Sequence, residues 1–205
     1  MHLVKSLFPF PVHGAGFVLF ETMISIVLVG VISVGFYSVF ATHEVQKNRA
    51  EQYYLAQQEA KNVLIIMQRE LNRAGYNLDS EEANPFIYSN DQIYSLNLRK
   101  DCILYRYDRN EDGVFSGENF GFRLHNGGIQ LRKGSEVSCE GGLGWEMISD
   151  TASIEVSSLQ FTIVQQYTSP QRVKSYVIIA LNIRHRHLMD MELSFFRNSS
   201  ARALL

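Results

Sequence analysis

The apolar residues of this chain are distributed very unevenly. From Ala15 to Ala41 the sequence AGFVLFETMISIVLVGVISVGFYSVFA is apolar or small at nearly every position, and Glu21 is its only charge. About 20 such residues suffice to cross a bilayer as a helix, so the run predicts a transmembrane helix without a polar face. Beyond it the pattern becomes one-sided. Tyr53, Ala56, Ala60, Val63, Leu64, Met67, Leu71 and Ala74 recur at helical spacing, while Gln52, Glu59, Asn62, Arg69 and Asn72 fall largely elsewhere. Gly75 supplies a C-terminal stop. Together these predict one helix over 17–74, about 85–90 Å long at 1.5 Å per residue. Residues 17–42 are its anchoring half and 43–75 its core-facing half.

After Gly75 the period drops to two. Residues 102–107 read as a strand. Phe120, Phe122 and Leu124 alternate with polar or small residues before Asn126-Gly127-Gly128 turns the chain into Ile129 and Leu131. Leu159, Phe161 and Ile163 alternate again, as do Val177, Ile179, Leu181 and Ile183. Met189, Met191, Leu193 and Phe195 form a last strand, reached by a turn around His187-Leu188. The expected head, residues 76–198, is an antiparallel β-sheet packed on the second half of the helix, an α+β architecture. Residues 76–92, with Pro85 among them, are expected as a loop, and 199–205 as a tail without pattern.

Charge adds an orientation. The 205 residues carry a formal charge of −2, which becomes −3 if the first sixteen residues are removed, because Lys5 is the only charged residue among them. A near-neutral chain gives no electrostatic case for nucleic acid as a partner. Lys5 precedes the apolar run and no strong basic cluster follows it, which leaves the N-terminus in the cytoplasm and the head outside it. Cys102 and Cys139 suit that side, where disulfides persist. A bond between them would stabilise the head by about 3.5–4 kcal/mol in the chain-entropy model; the alternative is two separate buried thiols.

The N-terminus itself has three readings. A secretory signal is cut after its apolar stretch, yet here the small residues Gly14, Ala15 and Gly16 come before most of it. A plain anchor leaves Glu21 unexplained, since a carboxylate in a membrane helix costs about 2.5–3.5 kcal/mol on insertion scales. A cut after Gly16 gives Glu21 a partner, for the new α-amino group on Phe17 is a cation four residues away. The segment Gly16-Phe17-Val18-Leu19-Phe20-Glu21 resembles the class III signal of type IV pilins and type II secretion pseudopilins. That resemblance implies that a prepilin peptidase cleaves after Gly16 and methylates the amine of Phe17. It also implies that Glu21 helps recruit and register subunits. Many major pilins have a proline where Ser38 stands here, which favours a minor component.

Arg69-Glu-Leu-Asn-Arg-Ala-Gly-Tyr76, Cys102-Ile-Leu-Tyr-Arg-Tyr-Asp108, Phe120-Gly-Phe-Arg-Leu124 and Gly144-Trp-Glu146 resemble PilW-type and related prepilin-peptidase-dependent minor pilins. This resemblance implies a minor pilin that initiates or caps a filament. Its partners would be the prepilin peptidase, other major and minor pilins, and an inner-membrane assembly platform. The implied location is the inner membrane in a single pass, with a periplasmic head, and then the filament. The alternatives are a minor pseudopilin of a type II secretion system and, in another class, a membrane-anchored binding or enzymatic domain.

One segment carries candidate metal chemistry. Asp108, Asn110 and Asp112 occupy positions 1, 3 and 5 of a calcium loop, Gly113 the turn, Val114 and Ser116 positions 7 and 9. Asn119 stands where a bidentate glutamate is needed, and Glu118 lies one residue early. A structural calcium ion is therefore a candidate beside an ordinary Asx-rich turn; no cofactor is otherwise required. Arg184, His185, Arg186 and His187 read as a solvated basic turn, and Trp145 as core or domain edge. No nucleophile elbow, phosphate loop, HExxH or paired-carboxylate pattern occurs, so an enzyme is not expected.

Overall fold

The computed structural model describes residues 15–78, 84–88, 92–135, 138–141, 143–169 and 172–201. Two compact units divide the chain, Met1–Ala50 and Glu51–Leu205. Helix α1 covers Ala15–Leu71, beginning two residues before the expected start.

In the first unit every side chain from Phe17 to His43 is exposed. Four hydroxyls of this stretch turn inward on the helix itself. The hydroxyls of Thr22, Ser25, Ser38 and Thr42 donate to the carbonyls of Leu19, Glu21, Gly35 and Ser38 at 2.8–2.9 Å. Bonded this way, they leave no free donor, which is what a hydrocarbon surrounding demands.

In the second unit the helix buries Ala56, Ala60, Val63, Leu64, Met67 and Leu71. Tyr53, expected on that face, is exposed, so the buried stripe begins at Ala56. The helix also ends three residues early. A turn over 72–75 follows, Gly75 takes a positive φ of 73°, and its N–H donates to the Arg106 carbonyl at 2.7 Å. Ala74 is buried from within that turn.

The head contains two antiparallel sheets instead of one. The first is a five-stranded meander in chain order: β1 (Tyr94–Leu96), β2 (Cys102–Arg106), β3 (Asn119–His125), β4 (Gly128–Gly134) and β5 (Trp145–Met147). The second is β6 (Ile154–Ser169), β7 (Arg172–His185) and β8 (Leu188–Ser200). They do not share a ladder. Val156 N–H to Gly127 O and Phe161 N–H to Lys100 O, both 2.8 Å, join β6 to turns of the first sheet. Each sheet gives one face to a common core with the helix. Ile103, Tyr105, Phe122 and Ile129 come from the first, Leu159, Phe161, Val177, Ile179 and Leu181 from the second.

A register shift between Val156 and Ser158 lets both Val156 and Leu159 point inward, which strict alternation forbids. The last strand starts after a turn at Arg186-His187, and it continues to Ser200, past the boundary expected at 198. Its polar end is satisfied by the last turns of the helix and the turn that follows it. Asn72 Oδ1 accepts from Ser199 Oγ at 2.8 Å and from Ser200 N–H at 3.0 Å, and Gln68 Nε2 donates to Asn198 O.

Gly121 fixes the approach of β2 to β3, because a Cβ there would lie 2.6 Å from Leu104 Cδ2 and 2.9 Å from the Ile103 carbonyl. Gly121→Ala is expected to cost the head about 1–3 kcal/mol by overpacking, and Phe122→Ala about 3–5 kcal/mol by leaving a cavity. Denaturant unfolding measures both; a Phe122→Ala cost below about 1 kcal/mol would contradict a core centred on β3.

Candidate functional site

Gly16, Phe17 and Glu21 all fall in the first two turns of α1. Phe17 is exposed, and Glu21 follows it by four residues. At 1.5 Å per residue the two positions are about 6 Å apart along one helix face. No other charged residue stands between Ala15 and Thr42. Chemically, this is an apolar rod with a carboxylate one turn from the residue that a cut after Gly16 would leave as N-terminus.

In the head, Cys102 and Cys139 form a disulfide with Cα atoms 6.0 Å apart, tying the start of β2 to the segment after β4. Arg123 reinforces the same junction. Its Nη1 donates to Cys139 O at 2.9 Å, its Nε to Gln130 Oε1 at 2.8 Å, and its guanidinium lies 4.3 Å from the Trp145 ring. Burial, and then the neighbouring Arg132, push the Arg123 guanidinium below its ordinary pKa. Arg132 is almost wholly buried, bonds Ser138 O at 2.9 Å, and lies 5.6 Å from the same indole. Trp145 thus sits at the sheet edge on β5, clamped by two arginines whose role no spacing in the sequence reveals.

The 108–118 loop spends most of its carboxylate oxygens on its own chain, and leaves Glu118 Oε2 buried without a hydrogen-bond partner among the described residues. Asp108, itself buried, accepts Asp112 N–H at 3.2 Å and Gly113 N–H at 2.9 Å. Asp112 accepts Val114 N–H at 2.8 Å and Asn110 Nδ2 at 2.7 Å, and Glu118 accepts Arg109 N–H at 2.9 Å. These are the bonds of an Asx-rich turn. Among the described residues, no group of three or more His, Cys, Asp or Glu is arranged to hold a metal ion.

His185 departs from the expectation of a solvated basic turn. It is buried, its Nδ1 accepts the His187 N–H at 3.2 Å, and its Nε2 lies 3.1 Å from Gln52 Oε1 on the helix. A backbone N–H can only donate, so in the neutral ring the proton sits on Nε2 and points at Gln52. His187 and Arg186 are exposed, as expected. The Ile179, Leu181, Ile183 alternation continues by one step to His185 and is the signal that could have found it, but the flanking Arg184, Arg186 and His187 read as a solvated turn. Among the described residues, a cleft of about 450 Å³ is lined by Gln92, Ile93, Tyr94, Leu96, Ile163, Gln165 and Ser175, with no histidine, cysteine or acid.

Residues 49–198 match the family model described as prepilin peptidase-dependent protein B. The chain belongs to this family. No curated protein and no solved structure matches it. Membership makes it a prepilin-peptidase-dependent, pilin-like protein. The matched residues comprise the core-facing part of α1 and both sheets, and leave out Gly16, Phe17 and Glu21. Head and N-terminus therefore point to the same class on separate grounds.

Replacing both Cys102 and Cys139 by serine is expected to lower stability by about 3–4 kcal/mol and to abolish the shift in gel mobility that reduction otherwise causes. Two free thiols in the native protein by labelling would sink the bond. Asp108→Ala is expected to cost about 1–3 kcal/mol through orphaned loop amides, equally with and without calcium. A cost that appears only in calcium-containing buffer would make the loop an ion site.

Proposed function

We propose that this protein is a minor type IV pilin that initiates or caps a filament after cleavage between Gly16 and Phe17 and methylation of the new amine. The observation that carries the reading is the all-round apolar first half of helix α1, exposed from Phe17 to His43 and bearing Gly16, Phe17 and Glu21 at its start, on a chain of the prepilin peptidase-dependent protein B family. Its partners are then the prepilin peptidase, other pilins and an inner-membrane assembly platform.

The mechanism rests on solvation. While the protein waits in the membrane, lipid covers the side chains from Phe17 to Phe40. On assembly, neighbouring helices cover them instead, so the apolar surface never meets water. Within either surrounding the Glu21 carboxylate is costly unless neutralised, and a neighbour's Phe17 amine neutralises it at one axial offset only. Charge pairing thereby sets register, while the non-directional apolar contacts supply the attraction. The head, periplasmic in this reading, selects which neighbour fits. No step calls for a catalytic side chain or a cofactor.

The N-terminal mass of the membrane-extracted protein tests the processing step. A chain beginning at methylated Phe17 is expected in the presence of prepilin peptidase and a chain beginning at Met1 in its absence. An uncut N-terminus in both would return the protein to an anchored domain. Glu21→Ala is expected to leave processing and head folding intact and to remove the protein from sheared filaments. Normal incorporation of that variant would refute the register role.

A further inference from the structure

The outer face of the second sheet lacks charge over most of its length. Four successive rows across its three strands, from Ser158–Asn182–Ser194 to Val164–Tyr176–Ser200, contain no Asp, Glu, Lys, Arg or His. Ile178, Ala180 and Phe196 lie in the two central rows, and Phe196 is 72% exposed. The opposite face of the same strands, with Val177, Ile179, Leu181 and Ile183, is the one buried in the core. One residue in five of the whole chain is charged, and solvated sheet faces are where such residues usually gather. Charge depletion with exposed aromatics is the composition of interface centres. Strands about 4.8 Å apart and rows about 6.8 Å apart give the patch a flat area of roughly 400 Å², the core of a modest interface rather than a large one.

Charges return at both ends of the face, and with opposite sign. Beyond Asn182 comes the row Glu155–Arg184–Glu192, which carries a net single negative charge. Arg184 pairs with Glu192 at 3.6 Å, so Glu155 holds the surplus. Beyond Tyr176 comes Lys174, opposite the neutral Gln166. Lys174 and Arg184 lie five residues either side of Ile179. A two-fold axis across the strands at that level lays the face on its own copy, with each Lys174 over the acidic row of the other. An axis along the strands would instead stack acidic row on acidic row.

We infer that this face is a self-complementary docking surface, and that its occupant is the same face of a second copy with strands antiparallel across the dyad. The inference concerns the head alone, and it stands or falls independently of cleavage at Gly16.

The native cysteines are bonded to each other and no free thiol is present among the described residues, so one added cysteine reports contact. In the full-length protein in its native membrane, Ala180→Cys lies near the dyad, and Glu146→Cys on β5 serves as an exposed comparator. Mild oxidation is expected to give about tenfold more double-mass product from Ala180→Cys, a factor equal to one decade in association. Adding Ile178→Arg should return the yield to the comparator's level, and adding Lys174→Glu should lower it several-fold. Thermal melts check that both surface variants remain folded. Equal yields from Ala180→Cys and Glu146→Cys would overturn the proposal, as would indifference to Ile178→Arg. A cross-link from Ala180→Cys to a protein of another mass would overturn it too, by giving the face a different partner.

Discussion

Water cannot be allowed to reach the first half of helix α1, and that constraint governs much of the rest of the protein. Seventeen large apolar side chains between Phe17 and Phe40 stand exposed on the helix. At the low end of about 1.5 kcal/mol for each such side chain, keeping them in water would cost roughly 25 kcal/mol. A typical domain is stable by only about 5–15 kcal/mol. No folding energy in the head could offset such a penalty, so the helix always needs either lipid or other helices around it. The four hydroxyls bonded back to Leu19, Glu21, Gly35 and Ser38 reduce the polar cost of that surrounding. Glu21 is the exception, and its cost is what makes it informative.

The head solves a different problem, which is to close a core between a helix and two sheets that share no ladder. Neighbouring strands in the first sheet are also neighbours in sequence, so its contacts are local and its turns do much of the organising. The joints are few and specific. Gly75 binds the helix exit to β2, Gln68 and Asn72 bind the helix to the end of β8, and Gln52 reaches His185 at the end of β7. Near the sheet edge, Arg123 joins the disulfide, β4 and the indole of Trp145 in one cluster.

How much of this the sequence disclosed depended on the length of each pattern. The helix was legible because its apolar run and its one-sided stripe are both long, and β3, β4 and β7 because their alternation survives several steps. β1 and β5 have three residues each, too few for a period to show. The division into two sheets was invisible, since alternation reports which side of a strand is buried but not which strands pair. The bulge near Val156 hid one inward residue, and Ser199 and Ser200 lack the strand pattern because helix side chains satisfy them. In the candidate site, Gly16, Phe17, Glu21 and the two cysteines stood out by type and spacing. Arg123 and Arg132 did not, because a charged residue announces its burial only through partners distant in sequence, and His185 was obscured by the basic residues on either side of it.

The bond between Cys102 and Cys139 also acts as a record of the chain's travels. It closes a ring spanning β2, β3 and β4, so one covalent bond encloses the central strands of the first sheet. Reducing cytoplasm keeps such a pair open, whereas oxidising compartments let it shut. If the head is periplasmic, as proposed, a molecule with the ring closed has already had its head delivered to such a compartment. On that proposal, the redox state of this one pair divides the cellular population into chains still in transit and chains that have arrived, with no other label needed.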